Sequence, residues 1–331
     1  MINEILLSLD DMKGELLKLE EGTNNIYDSV ATYAFNKFMS ELGNNVRVAP
    51  IYYNNKLIGA AYVNIQGKPT NSRYIIDGSI ISLDGFESRV EDFIDKTFCS
   101  TNVNIKLMPE QNLNFKKLHL IKHLPKTVLI PIKESEEEQK KLLAKGRRRD
   151  ITKALKNNLE VRELKDIEEY KDMFNLLNEL AKFRGYKQDI DMQLLGAYYK
   201  ELVPKRIAVA FGCFQGEDMI AADLVLFSKN RAREQIITEK PSKMDTGAQS
   251  YTLWKTINYC RQNNVKYLGL AGYPPEYSYM AGIGKFKKSF GGDVLNMPIY
   301  EENAIERLKQ GLRHSPRILK FHKLYKSLII K

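Results

Sequence analysis

Arg206-Ile-Ala-Val-Ala-Phe-Gly-Cys-Phe-Gln-Gly-Glu-Asp-Met-Ile-Ala-Ala-Asp-Leu-Val-Leu-Phe227 is two apolar runs folded about the polar turn Gln215-Gly216-Glu217, the pattern of a β-hairpin. Residues 47–65, Arg-Val-Ala-Pro-Ile-Tyr-Tyr-Asn-Asn-Lys-Leu-Ile-Gly-Ala-Ala-Tyr-Val-Asn-Ile, read the same way about Asn-Asn-Lys. Ile58-Gly59-Ala60-Ala61-Tyr62-Val63 aligns with Ile220-Ala221-Ala222-Asp223-Leu224-Val225 at an offset of 162 residues. Downstream elements keep step: a helix from about Ser88 precedes the strand Val103–Met108, as a helix from about Ala248 precedes the strand Lys266–Ala271. A period this long describes two copies of one domain, not a solenoid. The first copy ends near Val128-Leu-Ile-Pro-Ile132, and the charged stretch Lys133–Gln139 reads as a linker, so the expected domains are 1–133 and 134–331.

The second copy is expected to run helix 148–157, strand 159–162, helices 167–183 and 190–202, then three antiparallel strands at 206–214, 218–227 and 232–239. Helix 248–263, strand 266–271, a short helix at 282–290 and a last strand at 294–300 complete it. Strands and helices interleaved in this way predict an α/β (α+β) fold, each copy a mixed, mostly antiparallel sheet covered by helices.

Composition narrows the class. With 331 residues, 43% hydrophobic and 28% charged, the chain suits two ordinary globular domains. No apolar run reaches the roughly 18 residues that span a bilayer, and the N-terminus has no basic start or cleavage site, so a cytoplasmic protein is expected. Cys99, Cys213 and Cys260 are widely spaced and odd in number, which fits neither a disulfide framework nor a zinc site. His119 and His123 are four apart, but no third ligand stands near them, so no metal is expected.

The net charge of +10 is concentrated in two places. One surrounds Arg147-Arg148-Arg149. The other is the tail after Glu306, which has eight Lys and Arg and no acidic residue. Such clusters favour polyanions: tRNA, a nucleotide-linked substrate, coenzyme phosphates or an acidic membrane surface. A solvated helix face competes with each.

Gly282-Ile-Gly-Lys-Phe-Lys-Lys-Ser-Phe-Gly-Gly292 carries the chemistry. Phe286 and Phe290 are four apart and share one helical face, while Lys287 lies off that face, where it can point into a cleft and balance an oxyanion. A plain amphipathic helix with a Gly C-cap fits the same letters. The element order resembles the GNAT acyltransferase fold, and the tandem pair resembles the Fem family of peptidoglycan-bridge aminoacyltransferases. That resemblance rests on this motif, on Gly146-Arg-Arg-Arg-Asp-Ile-Thr-Lys-Ala-Leu-Lys-Asn-Asn-Leu-Glu-Val-Arg162, and on Thr246-Gly247-Ala248-Gln249.

The resemblance implies an N-acyltransferase that moves an aminoacyl group from aminoacyl-tRNA to an amine of a cell-wall peptide or glycan precursor, with Lys287 acting in transfer and Phe286 shaping its pocket. It implies no bound cofactor or metal. Beside it, Arg148 and Arg149 are candidates for substrate phosphates, Glu239 for accepting the amine's proton, and Tyr273 and Tyr277 for an aromatic wall. Gly282 and Lys288 are further binding candidates from the motif. For Glu239 a pairing with Lys240 or Lys243 competes. Two positions depart from the family pattern: Gly284 stands where it has Tyr, and Gly269 where it has Asp. Two alternatives stand beside this reading. One is an N-acyltransferase using acyl-CoA or an acyl carrier protein, although the second domain has no good Arg/Gln-x-x-Gly-x-Gly/Ala phosphate turn. The other is a non-catalytic protein that binds RNA or a membrane surface through its basic C-terminal tail.

Overall fold

The computed structural model describes every residue except 1, 26, 69–71, 112, 122–123, 186–191, 275–280 and 302–331. The basic tail and Tyr277 therefore lie outside the described residues. The chain opens with α1 (Ile2–Ile5), α2 (Leu9–Gly22) and α3 (Tyr33–Glu41), followed by β1 (Val46–Tyr53), β2 (Lys56–Gln66), β3 (Arg73–Asp77) and β4 (Ile80–Ser82). Helix α4 (Glu87–Phe98), β5 (Val103–Lys106), β6 (His119–Leu120) and β7 (Lys126–Pro131) come next. Then follow α5 (Glu136–Leu142), α6 (Lys145–Lys156), β8 (Glu160–Glu163), α7 (Ile167–Arg184), α8 (Met192–Ala197), β9 (Ala208–Gln215), β10 (Asp218–Phe227) and β11 (Arg231–Glu239). Helix α9 (Ala248–Gln262), β12 (Tyr267–Tyr273), α10 (Ala281–Lys288), β13 (Asp293–Asn296) and β14 (Ile299–Glu301) end the described chain.

Both hairpins form as the alternation predicts. At the β1–β2 turn Asn54 and Asn55 take φ of 49° and 60°, left-handed values that Asn tolerates and a two-residue hairpin needs. The first sheet runs β1-β2-β3-β5-β14-β6 with β4 also on β2, and the second runs β13-β7-β12-β11-β10-β9-β8. Each sheet is antiparallel apart from one parallel pair, β3 with β5 and β11 with β12. The repeat is thus visible in topology as well as in sequence.

Two features differ from the sequence expectation. The stretch Lys133–Gln139 is not all linker: Ser135 caps α5, its Oγ accepting from the Glu138 N–H at 3.2 Å and donating to the Glu138 carboxylate at 3.1 Å. The expected last strand, 294–300, is two strands in two sheets. Pro298 has no N–H for a ladder, and the chain changes sheets there, Met297 donating to Pro125 O and Leu107 to Pro298 O, each at 2.8 Å. Consequently β7 builds the second sheet although it precedes residue 133, and β14 builds the first although it follows residue 298.

The second sheet is buried on both faces. Leu253, Trp254 and Ile257 of α9 pack one face with Phe290, while Tyr170, Met173 and Leu177 of α7 pack the other. Each such side chain contributes about 1.5–3 kcal/mol. Phe38 of α3 joins the α7 layer, its ring 5.2 Å from that of Tyr198, so the two halves share a core. The β10–β11 turn seals the junction: Ser228 Oγ donates to Tyr27 O at 2.6 Å, Lys229 Nζ to Glu21 O and Thr23 O at 3.0 and 2.9 Å, and Asn230 to Asn24 O at 3.1 Å.

Burial pushes the Glu20 carboxyl, which accepts from Tyr33 N and the Tyr62 hydroxyl, up to about 7. A carboxyl raised on folding supports the fold fully below its unfolded value of 4.5 and loses that support as pH rises through about 7. Glu20→Gln keeps an acceptor and removes the charge. It is expected to be more stable than the unaltered protein at pH 8 by about 2–3 kcal/mol, and equal to it below pH 4.5; urea titrations at both pH values check this.

Candidate active site

Strands β11 and β12 are partners only over Arg231–Tyr267, Ala232–Leu268 and Arg233–Gly269. Beyond Gly269 they separate, while β12 stays on β7 through an irregularity at which Ala271 takes φ of 42°. Separation removes the strand partner that β12 carbonyls would otherwise have, and a buried carbonyl needs a donor. Lys287 supplies it. Its Nζ donates to Leu270 O at 2.7 Å and to Gly272 O at 3.4 Å, and lies 3.9 Å from Glu234 Oε1 on the opposite arm. The side chain bridges the two diverging strands from α10. It is only 6% exposed, so it occupies the floor of the divergence and not an open cleft.

Local sequence explains how α10 delivers it. Phe286 of α10 and Phe290, in the turn just past the helix end and not on its face as expected, meet with rings 5.2 Å apart at 66°, Phe290 fully buried. The glycine pair after the helix is a packing device and not a flexible end. Gly291 has φ of 86°, and a Cβ on it would lie 2.5 Å from Leu142 Cβ; one on Gly292 would lie 2.5 Å from Val128.

Two carboxyls that the sequence reading did not single out lie under Lys287. Asp223 of β10 is fully buried, its Oδ2 accepting from Thr256 of α9 at 2.7 Å and its Oδ1 without a partner. Burial, and then the charge of Glu234, push Asp223 well above the ordinary carboxylate range. Burial also raises Glu234, against the pull of Lys287.

At the open end of the same divergence stands Glu239. Five residues beyond Glu234, it is about 16 Å farther along the strand. Burial pushes its carboxyl up to about 7, partly offset by Arg184, whose guanidinium is 3.9 Å away, and by Arg147. Neither lysine expected to pair with it does so: Lys240 binds Asp218 at 3.0 Å and Lys243 binds Gln215 at 3.0 Å. Arg147 links the mouth to α10. It donates to Ser250 Oγ at 2.8 Å, pairs with Asp150 at 3.0 Å, and lies over the Phe286 ring at 5.0 Å.

Arg148 and Arg149 point elsewhere. With Lys145, Thr152, Lys153 and Lys156 they line a groove of about 440 Å³ along the exposed face of α6. Tyr273 lies against Gly284: a Cβ there would be 3.0 Å from its ring. A Cβ on Gly269 would be 2.5 Å from Arg231 Nη2. At both positions a neighbouring side chain occupies the space that a Cβ would take. Gly282 and Lys288 are exposed on α10. Among the described residues no cluster of three or more His, Cys, Asp or Glu is arranged to hold a metal ion, and no helix is long and apolar enough to cross a membrane.

No family model matches the chain, and no curated protein matches it in sequence. Solved structures do match in fold. FemX is similar over 92% of this chain and 98% of its own, with a TM-score of 0.70 and 13% identity. A conserved protein of unknown function from Bacteroides thetaiotaomicron is similar over 89% of this chain and 96% of its own (TM-score 0.60, 9% identity). L-PGS from Bacillus licheniformis is similar over 88% and 92% (TM-score 0.57, 10% identity). The fold is similar to that of FemX, with two mixed, mostly antiparallel sheets flanked by helices, as the repeat and the motif led us to expect.

Proposed function

We propose that this chain is an N-acyltransferase whose reaction takes place between the diverging strands β11 and β12, with aminoacyl-tRNA as donor and an amine of a peptide or glycan precursor as acceptor. The observation that carries the reading is Lys287, an ammonium held at the floor of a strand divergence that opens towards a carboxyl titrating near neutrality. Two of its three N–H groups are engaged by β12 carbonyls, which leaves one for a reacting oxygen.

In this reading the acceptor amine adds its lone pair to the donor's ester carbonyl. A C–N bond forms, the carbonyl oxygen becomes an oxyanion, and Lys287 stabilises that charge in a site sheltered from water. The amine's proton passes outward along a chain of waters to the Glu239 carboxylate at the mouth, which stands too far from Lys287 for direct transfer. Collapse breaks the C–O bond, and the leaving ribose oxygen takes the proton that the amine gave up, returned through the same waters. Phe286 and Arg147 fix the entrance through the ring contact and the pairs with Asp150 and Ser250. The α6 groove, with five cations and no acidic side chain in its lining, suits the phosphates of the donor. The donor class is the one that the resemblance of the motif to the Fem family implies, and the fold is similar to that of FemX. An acyl-CoA donor also carries phosphates and is the reading that competes.

Purified protein incubated with pooled aminoacyl-tRNAs, or with acyl-CoAs, and a peptide amine or aminosugar decides between them by product mass. Transfer from aminoacyl-tRNA is expected. Product from acyl-CoA alone would move the donor class, and no product from either would remove the enzymatic reading. Activity should rise with pH through about 7 as Glu239 ionises. In Glu239→Gln that limb should vanish and kcat should fall about 10²-fold or more.

A further inference from the structure

We propose that the first half of the chain carries a second ligand site, a pocket for a primary ammonium on a short alkyl stem. It is independent of the acyl-transfer reading. The pairing of β3 with β5 ends at Asp77–Lys106, after which β4 follows β2 and the chain beyond β5 turns away, Leu107 donating to Pro298 O. This is the first half's counterpart of the β11–β12 divergence. It is bridged by a neutral side chain: Gln111 accepts from Met108 N at 3.0 Å and donates to Ile80 O at 2.7 Å.

Beside this bridge lies a cavity of about 90 Å³ whose lining includes Ser82, Glu87, Glu110 and Gln111, with Ile80 and Leu113 as apolar wall. Glu110 is the telling group. Its side chain is 6% exposed; Oε1 accepts from Arg231 Nε at 2.8 Å, and Oε2 is buried without a hydrogen-bond partner. A buried carboxylate oxygen without a donor is costly, and a donor within the cavity removes that cost. Glu87 adds a second carboxylate to the lining, accepting from Asn25 at 2.8 Å.

The charges select a cation. Arg231 is engaged by Asp28 and Glu110, and Arg233 lies 3.7 Å from Asp28. Asp28, Glu87 and Glu110 against these two guanidiniums leave one negative charge in excess. The size selects a short stem: the cavity has room for about three waters, the space of a few heavy atoms. A primary ammonium supplies donors for Glu110 Oε2 and for Glu87 while its methylenes meet Ile80 and Leu113. A quaternary ammonium has no N–H to give, and a carboxylate is repelled.

Titration of the full chain with n-propylammonium chloride, followed by calorimetry and by protein NMR shifts, tests this. Saturable binding is expected, with none for n-propanol, tetramethylammonium or propionate. Glu87→Gln and Glu110→Gln are each expected to weaken binding about tenfold or more. Should Glu110→Gln fail to fold for want of its bond to Arg231, Glu87→Gln alone decides. Absence of saturable propylammonium binding means that the cavity holds only water and overturns the proposal. So does undiminished binding in Glu87→Gln, which would locate the ligand elsewhere.

Discussion

Lys287→Met is expected to lose transfer activity by at least about 10²-fold and, separately, to destabilise the protein by about 3–5 kcal/mol. The second effect follows from what its ammonium touches. Its loss frees the Leu270 and Gly272 carbonyls and leaves Glu234, buried and 3.9 Å away, without a counter-charge. Stability alone therefore cannot reveal the catalytic role. The pair Lys287→Met with Glu234→Gln separates the two: neutralising Glu234 should restore much of the denaturation midpoint and none of the transfer rate. Turnover in Lys287→Met equal to that of the unaltered protein, measured on material shown to be folded, would sink the catalytic assignment while leaving the structural one intact.

Arg231→Met is expected to cost a similar amount, about 3–5 kcal/mol, by a route that leaves the site's own groups untouched. Arg231 belongs to β11 but pairs with Asp28 and Glu110 of the first half, and all three side chains are buried. Burial pushes the Asp28 carboxyl up, and Arg231 and Arg233 outweigh it and hold the group below its ordinary range, so removing Arg231 leaves a fully buried carboxyl without its main counter-charge. Gly269→Ala should produce a milder version, because the new methyl group would displace the guanidinium by contact at Nη2. Chemical denaturation of the three proteins should rank the unaltered chain first, Gly269→Ala second and Arg231→Met last. If Arg231→Met matched the unaltered chain, the ion cluster would contribute no net stability.

The repeat that led to the fold was legible because both hairpins keep their alternation and offset, and because the turn residues at Asn54, Asn55 and Gly216 suit the φ values observed. The N-cap Ser135 and the break at Pro298 were also written in the sequence; acidic composition in one case and a run of apolar letters in the other concealed them. The floor of the site was harder to read. Glu234 gives no sign of burial, since an irregularity between Leu224 and Val225 shifts the pairing of β11 and obscures the alternation. Asp223 did leave one clue: it aligns with Ala61, which is equally buried, so one copy of the repeat places a carboxyl where the other has a methyl group. Arg147 was lost among its neighbours, because three consecutive arginines look alike until the pitch of α6 turns one inward to Ser250 and leaves two on the surface.

The exchange of β7 and β14 between the halves bears on how the protein is made. As the chain leaves the ribosome from its N-terminus, β1 to β6 emerge early, but β5 and β6 do not touch each other; the strand that joins them is β14, at Ile299–Glu301. Meanwhile β7, already synthesised, has no neighbours until β12 and β13 arrive more than 130 residues later. Neither sheet can close until nearly all of the described chain has emerged. The nascent protein must therefore carry open strand edges through most of its synthesis, with the exposure to wrong pairing that this brings. The first half can pair β1 to β5 early, but its sheet is not complete until β14 has emerged.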